Sequence, residues 1–142
     1  MSYLLDTNVI SELRKGRRAD AGVVGWLEQV GADEIFLSVL TLGEIRKGIE
    51  RVRPQDPTKA QSLECWLAEV EAVHGEQILP VGIAVAQTWG RLSAKDTLPV
   101  IDSLIAATAL VHGLTVVSRN TRDIERTGVP VLNPFSGPGS SG

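Results

Sequence analysis

The chain has 142 residues, the length of one compact domain. Hydrophobic residues make up 43% and charged residues 22%, a balance that excludes an intrinsically disordered chain. A net charge of −3 argues against nucleic-acid binding by bulk charge alone, and the single Cys65 excludes an internal disulfide and fits a reducing compartment. The first residues carry no basic stretch followed by a long apolar run, and no 18-residue apolar span occurs, so the expectation is a cytoplasmic protein without a membrane segment.

Taken in chain order, Ser2–Leu5 is a short apolar run ending at Asp6 and reads as a buried strand. Val9, Ile10 and Leu13 then predict a helix from Thr7 to about Lys15, closed by Gly16. Val23, Val24, Leu27 and Val30 predict a second helix from Asp20 to Val30. Ile35–Leu37 reads as the next strand, followed from Ser38 by a helix with the stripe Leu42, Ile45, Ile49 and Val52, ended by Pro54. Pro57 opens another helix, with Leu63, Trp66, Leu67, Val70 and Val73 inward.

Ile78–Val81 reads as a short or edge strand, because Pro80 cannot donate to a ladder. Val85, Trp89 and Leu92 mark a helix, a loop follows through Lys95–Pro99, and a helix runs from Val100 or Ile101 to His112. Leu114–Val117 is a strand, Asn120–Arg126 a short helix and Val129–Leu132 a last strand. Ser136–Gly142 carries no charge and no apolar anchor, so the domain is expected to span residues 1–135, with a disordered tail or expression scar after it. Strands that alternate with helices, without a tight hairpin turn, predict an α/β protein: a mainly parallel sheet with helices on both faces.

In such sheets ligands bind at the carboxyl ends of the strands. Four separate segments send acids or amides there: Asp6 after the first strand, Glu44 in the helix after the second, Asp102 at the start of a helix, and Asn120 with Asp123 after the Leu114–Val117 strand. Each of the first two has an ordinary alternative. Asp6 equally serves as the N-cap of the Thr7 helix, and Glu44 lies off its apolar stripe and suits a surface pair with Lys47. Asn120 and Asp123 together suit the N-terminus of their short helix.

Asp102 is different. Residues 101–111 carry no other charge, and a helix apolar all round is expected to be buried. A lone carboxylate there must be neutralised or paired with a cation or a strong hydrogen-bond donor, from elsewhere in the fold or from outside the chain, and a divalent cation shared with Asp6 is the economical answer. Oxygen ligands without His or Cys select Mg2+ or Mn2+, and the chemistry such a site supports is metal-assisted phosphoryl transfer or hydrolysis. The only histidines, His74 and His112, each precede a glycine and read as helix C-terminal residues, which leaves little for a zinc site or a Ser–His–Asp triad.

Five blocks in order resemble the PIN-domain family, and within it the VapC-type toxins of toxin–antitoxin pairs. They are Leu4–Glu12 (LLDTNVISE), Leu37–Ile45 (LSVLTLGEI), Pro99–Ala109 (PVIDSLIAATA), Val117–Asp123 (VSRNTRD) and Asn133–Phe135 (NPF). The resemblance implies a three-layer sandwich with a five-stranded parallel sheet. It implies a Mg2+- or Mn2+-dependent endoribonuclease that dimerises and is inhibited by a cognate antitoxin, with Asp6, Glu44 and Asp102 as the catalytic and metal-binding acids. Many PIN domains have an aspartate where this chain has Asn120, so the fourth position falls to an amide, with Asp123 three residues on as a substitute. Thr7, Asn8, Ser38 and Thr41 are expected to orient the carboxylates.

Arg14, Lys15, Arg17 and Arg18 form a basic cluster suited either to a solvated turn or to RNA phosphates; Arg46, Lys47, Arg51 and Arg53 would extend such a path, but helical periodicity scatters them. Trp26, Trp66 and Trp89 lie on helical stripes and are expected in the core or at a dimer contact. Two other functions compete with the nuclease. An aspartyl-phosphate phosphatase also begins with an Asp after its first strand, but wants an acid where Asn8 stands and a lysine after Lys95, where there is none. A PIN-like fold retained only for binding protein or RNA is the other.

Overall fold

The computed structural model describes residues 1–136. Five strands, β1 (Tyr3–Leu5), β2 (Ile35–Ser38), β3 (Ile78–Leu79), β4 (Thr115–Val117) and β5 (Val131–Leu132), form one sheet in the order β3-β2-β1-β4-β5. Every neighbouring pair is parallel, with Leu4 opposite Phe36 on one side and Val116 on the other. The helices are α1 (Thr7–Leu13), α2 (Ala21–Glu28), α3 (Val39–Val52), α4 (Pro57–His74), α5 (Ile83–Lys95), α6 (Val100–His112) and α7 (Thr121–Glu125).

Alternation along the strands separates two cores. Leu5, Leu37 and Val117 face a cluster with Val9, Val23, Ile45, Ile49, Leu67 and Val70 from α1–α4. Leu4 and Val116 face the other way, onto Ile105, Ala106, Ala109 and Ile124 from α6 and α7. The chain moves outward from β1 through β2 to β3, then returns to the far side of β1 as β4. That reversal of strand order puts a crevice between the carboxyl ends of β1 and β4, where α/β sheets bind ligands.

Most expected elements are present, with local differences that have physical causes. The last strand begins at Val131 because Pro130 has no N–H to donate, although its carbonyl accepts from Val116. Gly113 closes α6 in the left-handed conformation (φ 68°, ψ 38°), as expected after His112. Gly75 has positive φ but ψ −116°, so α4 ends in a different turn. The α6 helix is buried only through its middle, at Ser103 and Ile105–Ala109, while Val100, Leu110 and Val111 reach solvent, so Asp102 is half-buried rather than enclosed.

Trp26 stacks edge-on against Tyr3 at 5.1 Å and, like Trp66, packs on the core. Trp89 donates from its indole N–H to Ser103 (3.0 Å), pinning α5 to α6. Residues 137–142 of the expected tail lie outside the described residues, but Ser136 is tied in: its N–H and hydroxyl both donate to the Asp20 carboxylate, at 2.8 and 2.8–2.9 Å. Asp20 also caps α2 through Gly22 and Val23, and these donors hold its carboxyl below the ordinary value, the Ser136 N–H most of all.

Candidate active site

Asp6 ends β1, and its backbone N–H continues the ladder to Val117 (2.9 Å). Its buried carboxylate is fixed from both sides. One oxygen accepts the Thr7 N–H (2.8 Å), so the capping role is real. The other accepts the Ser118 hydroxyl (2.7 Å) and the Asn8 amide (3.3 Å). Ser118 is fully buried and fully used: it donates to Asp6 and accepts from Asn8 (3.2 Å) and the Asn120 N–H (2.9 Å). Asn8 completes the bridge by accepting the Arg119 N–H (3.0 Å). The end of β1 and the loop after β4 are thus one hydrogen-bonded unit.

Glu44 makes no ion pair with Lys47 among the described residues. The Thr7 hydroxyl donates to it instead, and the Thr41 hydroxyl lies 3.4 Å from that of Thr7. Thr7 thus touches the Glu44 carboxylate directly, and Thr41 reaches it only through Thr7. Ser38 does not: its hydroxyl accepts the Leu40 N–H (3.0 Å) and caps α3, the role a serine at the start of a helix takes by default.

Asn120 differs most from its ordinary reading. It occupies the N-cap position of α7 without a capping side-chain bond. Its amide turns instead to donate to Asp102 (2.8 Å), joining α6 to the β4 loop. Asp123 is paired with Arg126 (3.2 Å), which also grips Asp96 through two bonds of 3.0 and 2.6 Å and so fastens the loop before α6.

The carboxyl of Asp102 is pushed up to about 6, first by desolvation and then by the charges of Asp6, Asp123 and Glu44, with the Asn120 hydrogen bond opposing. None of Asp6, Glu44 and Asp102 has a Lys or Arg partner among the described residues. The carboxylates do not close into a preformed cage: among the described residues no three His, Cys, Asp or Glu side chains are gathered as a ligand set. Like charges without a cation repel, and the all-oxygen donor set matches a hard divalent ion rather than zinc.

A groove of about 350 Å3 leads away from Thr7 and Glu44 past Ser11, Arg14 and Lys15 to Lys59, Leu63 and Trp66. It takes in only half of the basic cluster. Lys15 is paired with Glu12 (2.9 Å), and together with the Asp20 N–H it holds that carboxyl below the ordinary value. Arg17 and Arg18 lie on an exposed turn (Gly16–Arg18) and do not line the groove. Arg46 and Arg53 are engaged by Glu50 and Glu64, which removes them from the extended basic path.

The sequence reading missed Ser118 and Arg119. Both stand in a block that was recognised, but neither is acidic, and only the parallel pairing of β1 with β4 brings Ser118 to Asp6. The guanidinium of Arg119 lies 3.9 Å over the ring of Phe135, just past the end of β5.

A parallel α/β sheet with acids converging on its central carboxyl edge is the architecture of a PIN domain, and the PIN domain family model matches residues 3–130, so the chain belongs to that family. It is 33% identical over 140 residues to the plasmid stability protein StbB of Pseudomonas syringae pv. tomato, spanning 93% of this chain and 97% of the relative. It is 32% identical over 137 residues to the VapC ribonuclease Y4jK of Sinorhizobium fredii, spanning 93% and 96%. Among solved structures, FitAcB from Neisseria gonorrhoeae superimposes with a TM-score of 0.83 at 31% identity over 93% of this chain and 97% of that one.

Proposed function

We propose that this protein is a metal-dependent endoribonuclease, the toxin of a toxin–antitoxin pair, acting on RNA phosphodiester bonds at the Asp6–Glu44–Asp102 site. The observation that carries the reading is the union of β1 and β4 through Ser118, Asn8 and Asn120, which ties Asp6 and Asp102 to one loop, with no Lys or Arg partner for either among the described residues. The names of the toxin and ribonuclease relatives support it. Asp6 and Asp102, with Glu44 beside them, would hold Mg2+ or Mn2+, which when bound supplies positive charge against the phosphate and acidifies water.

The remaining work is done by the chain. Thr7 N–H, Asn8 and Ser118 hold Asp6 in one orientation, so that it need not reorganise when substrate arrives. Asn120 fixes one oxygen of Asp102 and leaves the other without a hydrogen-bond donor among the described residues. The Thr7 hydroxyl holds Glu44 at the mouth of the groove. That groove, apolar at Leu63 and Trp66 and acidic at Glu44, suits a segment of a cognate antitoxin that would block access to the acids. Val81, Ile83 and Val100, at or just before the starts of α5 and α6, stay 36%, 80% and 58% exposed and suit a homodimer contact.

The test is cleavage of mixed single-stranded RNA and of transfer RNA by purified protein freed of antitoxin, in Mg2+, Mn2+ or EDTA, beside Asp102→Asn. Cleavage that needs metal and disappears in the variant is the expected result. A folded protein that cleaves neither RNA with either metal, yet still binds an antitoxin, would instead be a binding module.

A further inference from the structure

We propose that Arg119 is a phosphate-binding residue of the active site, held ready by Phe135 to engage an RNA phosphate next to the scissile one. The inference rests on the ribonuclease reading and adds a cation on the loop after β4 to Arg14, Lys15 and Lys59, which line the groove beside Glu44. Three carboxylates, Asp6, Asp123 and Glu44, lie close enough to Asp102 for their charge to act on it. A polyanionic strand enters such a field only where fixed positive charge flanks it.

Several candidates for that charge are already committed. Lys15 is bound to Glu12, Arg126 to Asp96 and Asp123, and Arg46 and Arg53 to Glu50 and Glu64. Arg119 is not. Its guanidinium makes no ion pair or hydrogen bond among the described residues, and Glu12, the acid whose charge it feels, already has its oxygens occupied by Lys15 and the Asp20 N–H. Its N–H donors therefore remain available for phosphate oxygens.

Position and rigidity point the same way. Arg119 stands between Ser118, which holds Asp6, and Asn120, which holds Asp102. Its own N–H is clamped by Asn8 (3.0 Å). The ring beneath its guanidinium belongs to the segment Asn133–Ser136, which is anchored at Asp20 and seated against Gly22. Backbone and head group are thus both fixed, so little conformational freedom is lost when a phosphate binds. The C-terminal Phe135 serves as the platform that aims a catalytic-edge arginine.

The experiment measures binding of a fluorescein-labelled 20-nucleotide mixed-sequence RNA by anisotropy across a series of KCl concentrations, in Mg2+, using the full chain carrying Asp102→Asn to prevent cleavage. Arg119→Gln is expected to weaken binding about 5- to 20-fold and to reduce the slope of log affinity against log salt by about 0.7, the value of one lost contact to a single strand. Phe135→Leu keeps the charge and is expected to weaken binding about threefold with the slope retained. Arg91→Gln, which removes an equal charge from the exposed face of α5, should bind within twofold of the parent.

If Arg119→Gln and Arg91→Gln bind alike with unchanged slopes while the parent binds RNA, Arg119 has no phosphate role and the nuclease reading stands. If the parent itself binds no RNA and the wild type cleaves none, both fall together. A purely structural Arg119 would lower the melting temperature without moving the salt slope. Arg119→Lys, which keeps the charge without the planar stack, separates the two should the glutamine variant fold poorly.

Discussion

Replacing Asp102 with asparagine is expected to stabilise the protein while removing the activity proposed for it. The folded protein holds the Asp102 proton more tightly than the unfolded chain does, so this group favours the fold at low pH and opposes it as pH rises from about 4 to beyond 6. Moving the carboxyl from 3.8 to about 6 corresponds to a ceiling of about 3 kcal/mol once it is ionised. Because the side chain is only half-buried, screening reduces this to about 1–2 kcal/mol. Asparagine keeps an oxygen for the Asn120 amide and carries no charge. The variant should therefore melt about 5 °C higher at pH 7.5 without divalent ions, and the gain should shrink to about a third at pH 4.5. Millimolar Mg2+ should raise the melting point of the wild type and leave the variant unmoved. Differential scanning calorimetry at the two pH values decides the matter. An equal gain at both, or none at pH 7.5, would refute the account of Asp102 as a strained, uncompensated charge.

Four further outcomes are expected. Ser118→Ala deprives buried Asp6 of its shortest side-chain hydrogen bond and leaves the Asn120 N–H without its hydroxyl acceptor; it should cost about 1–3 kcal/mol in urea denaturation and lower single-turnover cleavage at least tenfold. Asn120→Asp puts a carboxylate where a donor now meets Asp102 at 2.8 Å, so the metal-free protein should melt lower at neutral pH while calorimetric titration shows tighter Mn2+ binding. Gly22→Ala would place a Cβ 2.5 Å from the Pro134 carbonyl and 2.6 Å from the Ser136 nitrogen, forcing the C-terminal segment off α2 at about 1–3 kcal/mol. Gly25→Ala on the same helix meets open space and should be neutral or stabilising by up to about 1 kcal/mol, read from thermal melts.

Much of this architecture could be read from the chain because its periodicities are clean. Ser38, Asp20 and Pro57 mark the starts of α3, α2 and α4, and apolar runs such as Leu4–Leu5 and Val116–Val117 have no solvent face to betray them as anything but central strands. The charge-free run around Asp102 drew attention to that residue, although the helix is buried only through its middle and leaves Asp102 half-buried. Glu44 and Asn120 were different: a glutamate off an apolar stripe and an asparagine before a short helix have ordinary local roles, and only long-range partners, Thr7 and Asp102, override them. Ser118 was illegible for the same reason. A serine after a strand carries no signal until the sheet pairing is known, because its partner lies 112 positions away.

That separation has a consequence for the order in which the site is assembled. A chain is synthesised from its N-terminus, and its domains fold as they emerge. Asp6 leaves the ribosome before the hydroxyl that orients it, the strand β4 that seats beside β1, and the Phe135 ring under Arg119. A nascent or prematurely released chain therefore carries the acids without their alignment. A site built this way is aligned only once β4 and the segment around Phe135 have joined the sheet.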